Sequence, residues 1–199
     1  MKPLQQAYAN LPAYLHYSFY LPSSFYLRKY ALSATQELVE TAIYSFACLS
    51  LPFLLGHEQL VVGAAVNCAL VLSALNLRGG KLLPAIMLPS VAACSAGLLF
   101  GVGSTALLYM VPFIWIANAI FVLSVKELTL LRGLNSAIAV AAGSVAKSAF
   151  LFSSAAVLNY FGLVPPVFLA AMGIFQLATA LLGGSAALAV QAGKQKLGY

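Results

Sequence analysis

The sequence predicts an all-α integral membrane protein with six transmembrane helices, and three observations carry that expectation. Of 199 residues, 62% are hydrophobic and only 7% charged, and the mean hydropathy of +0.96 lies well outside the range of soluble domains. Apolar runs of about 20 residues, the length that crosses a hydrocarbon core as a helix, fill the chain with only short breaks between them. The cations gather in alternate breaks. There is room for one membrane domain and none for a second. A net charge of +6 would suggest nucleic acid in a soluble chain. Here the cations flank apolar runs, which makes them a topology signal and leaves no reason to expect a nucleic-acid partner.

Taken in order, residues 1–30 read as an aromatic and basic arm. Pro3, Pro12 and Pro22 interrupt it, so it lacks the continuous apolar core of a signal peptide. Tyr8, Tyr14, Tyr17, Tyr20, Tyr26 and Tyr30, with Phe19, Phe25, Arg28 and Lys29, suit the headgroup layer, where rings and cations are both favourable. Docking on a partner or on the protein's own cytoplasmic face is the other reading. The six-helix domain follows over residues 31–190. Its spans are expected at Ala31 to Leu55, Gln59 to Asn76, Leu82 to about Gly101, Ser104 to Val125, Asn135 to Tyr160, and from the Pro165-Pro166 break to Val190. Residues 191–199 form a short tail. Pro52, Pro84 and Pro89 fall inside spans, where neighbours re-satisfy the freed carbonyls. Cys48, Cys68 and Cys94 lie in spans without metal-ligand spacing and read as small packing residues.

Orientation follows from charge. Lys2, Arg28 and Lys29, then Arg78 and Lys81, then Lys126 and Arg132, then Lys194 and Lys196 all fall on one side of the expected membrane. That is nine of the ten lysines and arginines, and the positive-inside rule makes that side cytoplasmic. Both termini are therefore expected inside, in a multi-pass protein of the plasma membrane.

Lys147 is the cation left over. It sits about twelve residues from either end of the fifth span, near the midplane, too deep for its stem to reach a headgroup layer about 15 Å away. An ionisable group there faces a bundle interior or a watery cavity and needs a partner. Centring each span at the midplane puts Asn67, Asn118 and Gln176 in the same layer. Gly143, Ser144, Lys147, Ser148 and Ser154 share one helical face, opposite a lipid-suited face of Ile138, Val145 and Phe152. Gly173, Gln176, Ala180, Gly183 and Ala187 form a small-residue stripe in the sixth span. Trp115 precedes Asn118 by three positions and so lies one turn away on the same side.

Two readings follow. In one, the amides merely join helices and Lys147 forms a structural ion pair with Glu40, the available carboxylate, Glu37 lying further out at the interface. In the other, Lys147 holds an anionic or electron-rich group of a small-molecule substrate. Asn118, Gln176 and Asn67 then add directional hydrogen bonds, Trp115 forms a flat wall, and Glu40 pairs with Lys147 when the site is empty. Catalysis is not expected: the chain has no aspartate, and His16 and His57 lie outside the predicted core. No cofactor or metal is expected either.

Six short spans, basic inner turns, small-residue helices and the strings Arg78-Gly79-Gly80-Lys81 with Pro84 and Pro89, and Gln176-Leu177-Ala178-Thr179-Ala180-Leu181-Leu182-Gly183-Gly184, resemble the substrate-binding S components of energy-coupling factor (ECF) vitamin transporters. The resemblance covers roughly Glu37 to Val190. It implies a six-helix subunit that binds a vitamin or related micronutrient and works with a membrane coupling subunit and cytoplasmic ATPases. In that family alanine-rich faces contact the coupling subunit; the nearest counterparts are Ala31, Ala34 and Ala42, at a spacing that departs from the family's four-residue interval. No glycine loop ending in Lys-Ser or Lys-Thr is present, so energy would come from another subunit. The competing expectation is a structural or assembly subunit of a larger membrane complex, with no ligand of its own.

Overall fold

The computed structural model describes residues 23–55, 58–96 and 104–196. The first 22 residues, with Tyr8, Tyr14, Tyr17, Phe19 and Tyr20, lie outside them. Seven α-helices form the six spans: α1 (Ala34–Leu55), α2 (Gln59–Asn76), α3 (Leu83–Ala96), α4 (Ser104–Lys126), α5 (Ser136–Tyr160), and the pair α6 (Val167–Met172) and α7 (Ile174–Lys196), which together make the sixth. Among the described residues, six helical stretches are long and apolar enough to cross a membrane.

Local chemistry sets the boundaries. α1 starts at Ala34 rather than Ala31 because Ser33 and Gln36 cap it reciprocally. The Gln36 N–H donates to Ser33 Oγ at 3.2 Å and the Ser33 N–H to Gln36 Oε1 at 2.9 Å, satisfying two donors that the first turn leaves open. A 3₁₀ turn, Gly79–Leu82, leads into α3. α4 runs on through a π-type turn, Glu127–Leu131, and Gly133 then reverses the chain at φ +66°, a conformation that favours glycine. Asn135 caps α5 by accepting the Ala137 N–H at 2.8 Å, and α5 ends before Gly162 at φ +70°. The break between α6 and α7 falls at Gly173, where a Cβ would meet the Leu169 carbonyl and the Phe152 ring.

The spans pack as a ring in the order α1, α3, α4, α5, α7, α2, with α2 also reaching across to α4. α2 and α7 make the most extensive contact. Glycine makes that contact possible: a Cβ at Gly183 would fall on the Ala64 carbonyl oxygen and the Cys68 amide nitrogen, and one at Gly63 would strike Thr179. Such backbone-to-backbone approach is how helices gain packing in lipid, where no hydrophobic force drives them together. Two apolar clusters result. One draws on α1 to α5 and α7 around Leu70, Leu75, Phe121 and Val125. The other joins α3 to α6 around Met110, Leu151, Phe168 and Met172. Outward faces are apolar: Leu38, Phe46 and Leu54 on α1 and Ile138, Val145 and Phe152 on α5 are exposed, as suits acyl chains rather than water.

One end of the bundle gathers the cations, and two residues there, Glu37 and Lys126, differ from expectation. Glu37 is buried, 3% exposed, instead of lying at an interface, and Arg28, Arg78 and Lys81 approach its carboxylate at 3.1, 3.4 and 3.0 Å. Lys126 is fully buried instead of standing in a connection. Its ammonium donates to the carbonyls of Leu27, Ala74 and Leu77 at 2.7, 2.8 and 2.6 Å, closing the carboxyl end of α2, where helix carbonyls lack partners and a cation is favoured. Residues 23–30 are tucked under the bundle: Ser24, Phe25 and Leu27 are buried, and the Lys29 N–H donates to the Leu75 carbonyl at 2.7 Å.

Candidate functional site

A cavity of about 90 Å³ opens between the two apolar clusters, and every span contributes to its wall, from Pro52 of α1 to Thr179 of α7. Asn67, Asn118, Lys147 and Gln176 all line it. It extends from the level of Lys147 toward the end opposite the cations, where Gln59, Leu107 and Met172 border it. The helical periodicity of α5 explains the inward turn of Lys147, since Gly143, Ser144, Lys147, Ser148 and Ser154 are all buried on one face. Gly143 admits the ring of Phe121, whose Cδ2 would lie 3.0 Å from a Cβ there. That ring's centroid is 5.4 Å from Lys147 Nζ, within cation–π range.

Lys147 is 2% exposed and donates to Asn67 Oδ1 at 2.6 Å. Asn67 is fully engaged, its Nδ2 donating to the Gly63 carbonyl at 2.9 Å and to Thr179 Oγ1 at 3.2 Å. Thr179 in turn donates to the Gln176 carbonyl at 3.2 Å. This relay locks α2, α5 and α7 at one depth. Thr179 escaped the sequence reading, although it lies three positions after Gln176 and so on the same helical face.

Two expected members are elsewhere. Glu40 does not meet Lys147. It accepts from Lys194 at 2.6 Å and from the Tyr44 hydroxyl at 2.8 Å, and a chain of side chains continues from Tyr44 to Asn76 at 2.9 Å and from Asn76 to Gln191 at 2.7 Å. The reason is depth: Glu40 lies six residues into α1 and Lys147 eleven into α5, about 9 and 16 Å from the cationic end at a rise of about 1.5 Å per residue. Trp115 is not a wall of the cavity. Its Nε1–H turns to α3, donating to Ser90 Oγ at 2.7 Å and the Met87 carbonyl at 3.2 Å, while Asn118 Nδ2 donates to the Ile86 carbonyl at 2.9 Å. Both donors serve the turn before Pro89, whose ring disrupts the helical ladder there.

Hydrogen-bonding capacity is left over in the cavity. Among the described residues, Lys147 uses one of three N–H donors, Asn118 Oδ1 has no donor, and the Gln176 side-chain amide has no partner. Compared with protein-family models, curated proteins and solved structures, the chain finds no match.

Proposed function

We propose that the chain is the membrane-embedded, small-molecule-binding subunit of an uptake transporter, similar to ECF S components, with both termini cytoplasmic in the plasma membrane. The substrate is a vitamin or related micronutrient, and energy comes from separate ATPases through a membrane coupling subunit. One observation carries this reading: Lys147, Asn118 and Gln176 face one interior cavity with hydrogen-bonding capacity unspent. Lys147 and Asn118 are buried and Gln176 is half-buried at the cavity wall, where an entering molecule would meet these open positions. Apolar walls with a few placed polar groups are what small-molecule sites generally show. Ala31, Ala34 and Ala42 are exposed on or beside the outer face of α1, open to a coupling subunit.

Native mass spectrometry of the full chain extracted from membranes tests the reading. A bound small molecule is expected in the wild type and its loss in Lys147→Met. Equal occupancy in the variant removes Lys147 from the site. An empty wild-type protein favours the assembly subunit instead, in which the amides of Asn67 and Asn118 serve only to join helices.

A further inference from the structure

The distribution of charge around Lys147 narrows the ligand. The chain has four acidic side chains in all, the glutamates at 37, 40, 58 and 127, and each lies away from Lys147. Glu37 faces three cations and Glu40 is held by Lys194. Glu127 pairs with Arg132 at 3.5 Å. Glu58 is exposed at the start of α2, nine residues and so about 13 Å along the helix from Asn67. No side-chain carboxylate of this protein neutralises an ammonium at Lys147, and an uncompensated charge in an apolar interior is costly.

We propose that the cavity takes a compact monocarboxylate carrying an N–H or O–H donor, so that the ligand itself is the counter-ion of Lys147. This rests on the binding-subunit reading. The carboxylate oxygens accept the two N–H donors that Asn67 leaves free, and the ligand's own donor meets Asn118 Oδ1, with Gln176 able to donate or accept beside it. Apolar walls at Val66, Ile114 and Phe175 enclose the body, and a volume of about 90 Å³ keeps it small. Other classes fit worse for stated reasons. A dianionic phosphate leaves one negative charge unbalanced. A zwitterionic amino acid brings a second ammonium into a cavity with no carboxylate among its lining residues. A neutral amide leaves Lys147 without a counter-ion.

The test uses the full chain in lipid nanodiscs, with calorimetry and thermal shift as readouts. Pyrrole-2-carboxylate and 4-hydroxybenzoate are compared with neutral pyrrole-2-carboxamide, zwitterionic proline and dianionic phenyl phosphate. The carboxylates are expected to bind at least about tenfold more tightly than the others, as one well-made charge contact allows. Asn67→Asp sets a carboxylate against Lys147 with almost no change of shape, and is expected to weaken carboxylate binding by at least about tenfold while the protein stays folded. Lys147→Met is expected to do the same. Equal binding of the amide or of proline, or unchanged affinity in Asn67→Asp, overturns the monocarboxylate assignment. So does the absence of a shift with every probe. Neither result touches the small-molecule reading, which stands or falls on the mass-spectrometric occupancy.

Discussion

The two halves of the bundle treat charge in opposite ways. At the cationic end Glu37 gathers Arg28, Arg78 and Lys81, Glu40 holds Lys194 and Tyr44, and Lys126 closes three carbonyls. In the other half a single ammonium, Lys147, meets one amide oxygen beside a cavity. The first arrangement is what polar groups do when their task is to hold helices in place: opposite charges meet, and the Lys126 ammonium fills all three of its donor positions. The second leaves capacity unspent. The contrast separates structural polar residues from candidate binding ones better than burial does, since Lys126 and Lys147 are about equally buried.

Substitutions can break this contrast, beginning where the effect should be largest. Lys126→Met strands the carbonyls of Leu27, Ala74 and Leu77 and is expected to cost about 3 kcal/mol or more, seen as a lower unfolding temperature in detergent. If it unfolds at the wild-type temperature, the cationic end is not the structural half. Gly183→Ala drives a methyl into Ala64 and Cys68, beside Asn67; about 2 kcal/mol of stability should go. Because α2 is pushed off α7 at the cavity floor, ligand occupancy measured by native mass spectrometry should fall with it. Glu37→Gln removes one carboxylate from three cations that are partly exposed, so the expected cost is smaller, about 1 kcal/mol, and should shrink further when the melt is repeated in high salt. Lys147→Met is the sharpest comparison with Lys126→Met. The same change of side chain should shift stability by less than about 1 kcal/mol in either direction, yet abolish ligand binding. A large loss of stability from this variant would place Lys147 with the structural group.

Much of the architecture was legible because a membrane helix advertises itself by length and hydropathy. The second span was expected at its observed bounds, and the fourth and fifth within a residue. Part of what brings Asn67, Asn118, Lys147 and Gln176 to the wall of one cavity is readable, since depth follows from position within a span. What could not be read was rotation about each helix axis against its neighbours. Trp115 and Asn118 share a side of α4, but only the packed bundle turns the donors of both toward α3. Glu40 offers itself in the sequence as the partner of Lys147 only by being a carboxylate. A fixed rise per residue already separated them by about 7 Å, and an amide closer in depth took the position. In the sequence Lys126 reads as a topology mark, because cations usually end spans in water. Its burial depends on residues 27–29 folding under the bundle, a contact 99 positions away that no local pattern announces.

That last contact bears on how the chain is built during synthesis. The carbonyls of Leu27, Ala74 and Leu77 remain without their ammonium until the ribosome has made residue 126 and the fourth span has entered the membrane. Residues 27–29 are thus locked only after residue 126 has been made, and Gln191 reaches Asn76 from 115 positions downstream later still. The final setting of the early spans therefore waits on side chains made long after them.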